Sequence, residues 1–175
     1  MTVTIARPAS TEHAPYYGTY ISQVPDGSVL SHLEQQSRDT IALLRRVNET
    51  KSQYRYAPDK WNIREVIGHL IDAERVFAYR ALSFGRADAT PLPSFDENAW
   101  GRTSNAAHRP MPELIAEFEA VRASTLALFR GFSETEFARQ GTASNNPVTV
   151  RALAYIIAGH ERHHVRILKE RYGVS

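Results

Sequence analysis

Residues 61–84 read WNIREVIGHLIDAERVFAYRALSF, and their apolar positions recur at helical spacing. Ile63, Val66, Ile67, Leu70, Ala73, Phe77, Ala81 and Phe84 fall on one stripe, which predicts an amphipathic helix from about Asn62 to Phe84. Asn62 supplies an N-cap oxygen, and Glu65, three residues on, reaches back to the Asn62 N–H. Three more segments repeat this pattern, at about Ser28–Asn48, Pro112–Arg130 and Val150–Tyr172. Thr149 is a cap for the last of them, Pro112 suits a first helical turn, and Gly173 is a terminator. A short fifth helix is expected near Ser133–Arg139. No segment alternates cleanly with period two, so the expected class is all-α, a four-helix bundle. The connection Gly85–Met111 is long for a helical bundle and implies either a functional loop or a crossover.

The terminal helix carries three histidines, His160, His163 and His164. His160 and His164 stand one turn apart on the apolar face, between Leu153, Ile157 and Ile167, Leu168. Imidazoles in an apolar stripe must each find a hydrogen-bond partner or ligate something. The i, i+4 spacing chelates a divalent ion, and a ligand from a facing helix completes such a site in a bundle core. His69, at the edge of the 62–84 stripe, is the candidate third ligand. His163 points away from the pair and flanks the site or faces solvent. His13, His32 and His108 belong to no constellation and are read as surface residues.

His160-Glu161-Arg162-His163-His164 also fits H-E-x-x-H, in which the Glu is a general base. That protease reading needs a third ligand downstream. Glu170 lies about 9 Å further along the same helix and cannot share the coordination sphere. Glu161 is kept as a candidate base or ligand-orienting carboxylate, against the plainer reading of a solvated helix carboxylate. Asp72 admits two readings: it orients an imidazole, or it pairs with Arg75 three residues on. Trp100, Phe95 and Asp96 in the long connection are candidate lining residues. For the two aromatics the plainer reading is packing, and for Asp96 a helix cap. Tyr16, Tyr17 and Tyr20 are read as covering the bundle end.

The 175 residues make one domain with a sizeable core, read as 1–175. There is no cysteine, which removes disulfides, thiolate metal sites and cysteine nucleophiles. The formal charge of +2, with acids interleaved among Arg45, Arg46, Arg162, Arg166 and Arg171, gives no basic face for nucleic acid. No apolar run approaches the ~20 residues of a membrane span, and Met1–Ser10 lacks a signal-peptide core. The expectation is a cytoplasmic protein with a small-molecule substrate, without nucleic-acid or membrane partners.

The run Trp61–Glu74 together with Gly159-His160-Glu161-Arg162-His163-His164 resembles the DinB/YfiT-like superfamily of metal-dependent enzymes. Tyr16-Tyr17-Gly18-Thr19-Tyr20-Ile21 and Leu92-Pro93-Ser94-Phe95-Asp96 resemble one branch of it. The resemblance implies an up-down-down-up bundle and a divalent metal, commonly zinc or nickel, on His69, His160 and His164. It implies a homodimer. It also implies a metal-dependent enzyme, a thiol-dependent S-transferase or a related hydrolase acting on a small electrophile, with a low-molecular-weight thiol as possible co-substrate. The rival expectation is a non-catalytic, metal-stabilised bundle that binds a small molecule or a protein.

Overall fold

The computed structural model describes residues 5–175. Four long helices form the body: α2 (Val29–Leu44), α4 (Ile63–Gly85), α6 (Met111–Arg130) and α8 (Val150–Glu170). Short helices lie between them: α1 (Gly18–Ile21), α3 (Glu49–Ser52), α5 (Glu97–Thr103) and α7 (Glu134–Ala138). The local start signals form as the sequence dictates. Asn62 Oδ1 accepts from the Glu65 N–H at 2.9 Å, and the Asn62 N–H donates to Glu65 Oε2 at 2.8 Å. Thr149 Oγ1 caps α8 through the Ala152 N–H at 3.2 Å. Gly173 takes φ +61°, and the Val174 N–H returns to the Leu168 carbonyl at 3.1 Å. The first long helix stops at Leu44, short of the expected Asn48, because Asn48 caps α3 by accepting from the Lys51 N–H at 2.8 Å.

The all-α bundle expected from the sequence is present, with one added element: β1 (Gln140–Ala143) and β2 (Asn146–Thr149) form an antiparallel hairpin. Its strands are too short and too rich in Gly, Asn and Pro to show a period-two pattern. Tertiary packing makes it instead: Gly141 lies so close to Phe84 that a Cβ there would fall 2.1 Å from the ring. The turn residues Ser144 and Asn145 both take left-handed backbone, φ 53° and 61°, as a two-residue hairpin turn requires.

The long helices pack as a square, α4 against α6 and α8, and α2 against α6 and α8. α4 and α6 run the same way: Gly68 meets Ala106 just before α6, and Gly85 meets Phe132 just after it. Two successive parallel helices need a connection that travels the bundle's length, about 30 Å at 1.5 Å per residue. This accounts for the long 86–110 segment, which carries α5. α8 runs against α4, with the Tyr172 hydroxyl donating to the Trp61 carbonyl at 2.6 Å.

The core is split. One apolar cluster centres on Phe77, Phe84, Phe129 and Leu153, and a second on Ile63, Ile67, Leu114 and Leu168. Between them lies a polar layer to which every long helix contributes. Arg122 of α6, 1% exposed, donates through Nε and Nη2 to both Glu74 oxygens of α4, each at 2.8 Å. Its Nη2 also meets Glu161 of α8 at 2.8 Å, and its Nη1 donates to the Leu33 carbonyl of α2 at 2.9 Å. Thr40 Oγ1 donates to Glu161 at 2.6 Å, and the Gln36 amide also donates to Glu161. Burial works against the Arg122 charge, but Glu161 and Glu74 outweigh it and hold the guanidinium above its ordinary range.

α1 rests directly on α8. A Cβ at Gly159 would fall 2.0 Å from the Tyr20 carbonyl oxygen, so only glycine permits this approach. No helix of the described residues is long and apolar enough to cross a membrane.

Two predictions follow from this packing. Arg122→Met strands two buried carboxylates and should cost about 3–5 kcal/mol, lowering Tm by on the order of 10 °C. Breaking the exposed Arg130–Glu34 pair should cost under about 1 kcal/mol. Equal losses in thermal denaturation would refute the special role of the buried layer. Gly159→Ala should cost the ~1–3 kcal/mol typical of overpacking and so lower Tm. An ordinary Gly→Ala change inside a helix stabilises by roughly 0.5–1 kcal/mol, so an unchanged or raised Tm contradicts the close contact.

Candidate metal centre

Three rings meet where α4 faces α8. His69 projects from α4, and His160 and His164 project from successive turns of α8. One ligand-capable atom from each lies within 4.8 Å of the other two. His69 Nε2 and His160 Nε2 are 3.0 Å apart. Ring centres are separated by 4.9 Å for His69–His160, 4.8 Å for His69–His164 and 4.6 Å for His160–His164. Nitrogens about 2.0–2.1 Å from a tetrahedral zinc would sit about 3.3 Å from one another, so the donors converge on the scale that a metal needs.

The donors are also free and neutral. Among the described residues no carbonyl, amide or carboxylate hydrogen-bonds any of the three rings; the single bond joins His69 to His160. A structurally satisfied core histidine would have such a partner. Burial brings His69 down to about 4. Burial, and then the neighbouring imidazoles His164, His69 and His163, hold His160 well below its ordinary range. His164 is lowered by burial and by His69 and His163. At neutral pH each ring is therefore uncharged, and ligation requires only the tautomer that turns a lone pair to the ion. This donor set fits a borderline, nitrogen-preferring divalent ion.

Aromatic rings enclose the cluster. Trp61 lies 4.8 Å from His69, Tyr20 lies 5.3 Å from His160, and Phe77 lies 6.0 Å from His160. The Tyr16 and Tyr20 hydroxyls are 2.7 Å apart. Two glycines let covering segments close on the ligand helices: Gly159, under Tyr20, and Gly68, where a Cβ would fall 2.7 Å from that of Ala106. Each directly precedes a clustered histidine. A cleft of about 270 Å³ opens onto the rings, with Tyr16, Tyr17, Phe95 and Ser144 among its walls. A smaller one, about 180 Å³, reaches His164 from the side of Tyr56, Lys60 and Tyr172 and shares Trp61 and Asn98 with the first.

The other residues singled out in the sequence distribute differently. Glu161 is neither solvated nor beside the rings: it is 1% exposed and engaged by Arg122, Thr40 and Gln36. One residue after His160, it is rotated about 100° around the helix. Asp72 hydrogen-bonds no histidine and lies 4.0 Å from Arg75, the ion-pair reading. His163 flanks the cleft, 5.4 Å from the Tyr20 ring. Phe95 lines the cleft, Trp100 packs behind it at 4.9 Å, and Asp96 caps α5 through the Asn98 and Ala99 N–H groups. His13, read as a surface residue, is buried, with Nδ1 2.9 Å from the Ala14 carbonyl oxygen.

Sequence reasoning gave no site role to Trp61, Ser144, Gly68 or Gly159. The repeated Gly-His dipeptide was a legible signal, since glycine inside a helix costs about 1 kcal/mol and needs a reason.

The chain is similar to known proteins in sequence and in fold. A Geobacillus kaustophilus protein named "Putative metal-dependent hydrolase GK0616" is 26% identical over 134 residues, covering 73% of this chain and 74% of its own. An Oceanobacillus iheyensis protein named "Putative metal-dependent hydrolase OB0413" is 21% identical over 156 residues, covering 84% and 89%. The solved structure of YfiT from Bacillus subtilis, titled "a probable metal-dependent hydrolase with an unusual four-helix bundle topology", superposes with a TM-score of 0.70. It covers 97% of this chain and 95% of its own at 18% identity, a likeness of fold. The DinB superfamily profile matches residues 32–168. The chain belongs to the DinB superfamily.

Proposed function

We propose that the protein is a metal-dependent enzyme in which His69, His160 and His164 hold one divalent ion, zinc or nickel, and that it acts on a small electrophilic molecule in the adjoining cleft. The observation that carries this reading is the convergence of three neutral imidazoles, His160 buried and His69 and His164 half-buried, with no other partner. A divalent ion held there supplies Lewis acidity and makes a water or thiol that reaches it easier to deprotonate. The all-imidazole set adds no negative charge of its own, so the ion keeps its full electrophilicity.

The chain's own residues do the rest. Trp61, Tyr20 and Phe77 pack edge or face against the histidine rings. They restrict water and hold the imidazoles in place, as preorganised sites require. Tyr16, more than half exposed, hydrogen-bonds the Tyr20 hydroxyl at the mouth and presents a polar group to an entering molecule. The names of the relatives support hydrolysis. Thiol transfer is the second reading, favoured by the two clefts that reach His164 and suit two reactants. Without cysteine, the chain would have to receive that sulfur from a small thiol.

Elemental analysis of the purified protein, with zinc and nickel loading, tests the centre. Wild type should hold about one ion per chain. His69→Ala and His160→Ala should bind it more weakly by over 100-fold, since losing even a residue that only supports a ligand costs about 10–100-fold. The loaded protein should turn over members of a panel of simple esters, amides and thiol–electrophile pairs, and the histidine variants should not. Failure to take up metal after loading would overturn the centre. Stoichiometric metal with no turnover across the panel would favour the non-catalytic bundle.

A further inference from the structure

The cleft over the histidine rings carries a single carboxylate on its walls, that of Glu97, and no lysine or arginine lines it. Its four histidines are uncharged at neutral pH. Burial brings His69 down to about 4 and lowers His160, His163 and His164 as well. Burial first, then the Tyr16 hydroxyl and then the Glu97 charge raise the Tyr20 hydroxyl far above its ordinary range, so it keeps its proton. The walls therefore present negative charge without a cation to offset it. Among the described residues no lysine, arginine or histidine nitrogen lies within 4.0 Å of the Glu97 carboxylate. Arg80 is buried beside Phe77 and Phe95, is not a wall of the cleft, and donates to the Pro93 carbonyl at 2.7 Å and to Ser144 Oγ at 3.1 Å.

The fold aims Glu97 at this space. Asp96 caps α5 through the Asn98 and Ala99 N–H groups, each at 2.9 Å, so Glu97 opens the helix. Glu97 and Gly101 stand four residues apart and share a face of α5. Gly101 lies against Trp61, where a Cβ would fall 2.9 Å from Nε1. The Trp61 ring in turn lies 4.8 Å from that of His69. The face that carries Glu97 is thus the face that α5 turns to the cleft.

What stands beside Glu97 suits a cation. Tyr16 and Tyr20 meet edge to face at 5.5 Å, and Tyr16 and Tyr17 at 5.8 Å. Such pairs turn their electron-rich faces in crossing directions, and a ring face attracts positive charge. The Tyr16 and Tyr20 hydroxyl oxygens, 2.7 Å apart, have lone pairs to accept with. An ammonium group has three donors and no acceptor, the complement of a carboxylate flanked by hydroxyl oxygens. An anionic group at the same place would meet the Glu97 charge.

We propose that the cleft recognises a small organic molecule by a protonated amine, which sits at the mouth between the Glu97 carboxylate and the Tyr16 and Tyr20 side chains. The rest of the molecule extends inward toward the histidine rings. Its electrophilic end then lies at the metal centre, so the substrate class is an amine-bearing electrophile. That second statement rests on the metal-centre reading; recognition of the ammonium does not.

Isothermal titration at neutral pH compares 2-phenylethylamine with the neutral 2-phenylethanol, on the protein as purified and after removal of metal by chelation. Wild type should prefer the amine by about fivefold or more in both forms, as an exposed ion pair and a cation–π contact together imply. Glu97→Gln, which keeps the shape and removes the charge, should abolish the preference and leave the metal content unchanged. Glu97→Asp should retain part of it. A preference that appears only with metal would place the amine nitrogen on the ion and overturn the proposal. A preference that survives Glu97→Gln, or none in wild type, would overturn it too. If the protein takes up no metal while the Glu97-dependent preference persists, the metal centre fails and ammonium recognition stands.

Discussion

Arg122 and the two carboxylates it holds set the geometry on which the rest of this molecule depends. A guanidinium buried at 1% exposure is tolerable only with its donors engaged, and here they reach Glu74, Glu161 and the Leu33 carbonyl on three other helices. Apolar side chains would pack these helices in several rotations of similar energy. A fixed set of ionic hydrogen bonds does not slide. With Glu161 turned to the network, His160 on the next position is turned about 100° away, toward α4. On α4 the five-residue step from His69 to Glu74 likewise sends one side chain to the cluster and the other to the network. The layer that separates the two apolar cores therefore has two faces, one ionic and saturated, the other imidazole-lined and open.

Close packing then encloses the open face. Gly159 admits the Tyr20 backbone against α8, and Gly68 admits Ala106 against α4. Both bring covering segments within reach of the histidines that follow them in the chain. The aromatic enclosure lowers the local dielectric and drives the imidazoles to their neutral forms, the state a metal ligand requires.

Much of this was legible in the sequence. The capping box at Asn62 and Glu65, the four apolar stripes and the i, i+4 histidine pair each express a local rule with a single outcome, and each appears where the rule places it. What escaped depended on distant contacts. The hairpin at 140–149 has no strand pattern of its own and forms because Phe84 and Leu92 receive it. Glu161 looked like an exposed carboxylate because its partners, Gln36, Thr40 and Arg122, are between 39 and 125 positions away in the chain. Asp72 sat at the right spacing for both an imidazole and Arg75, and only the packing of α4 distinguishes them. His13, without a local constellation, is buried within the N-terminal segment that Glu12 and Ile5 tie to α8.

The central claim is that one ion is bound by three imidazoles from two helices. X-ray absorption at the metal edge of the zinc-loaded protein tests it most directly. The account predicts three imidazole nitrogens at about 2.0–2.1 Å, with any remaining coordination from a light, non-imidazole atom. A spectrum fitted by two or fewer imidazoles, or by an all-oxygen shell, would contradict it.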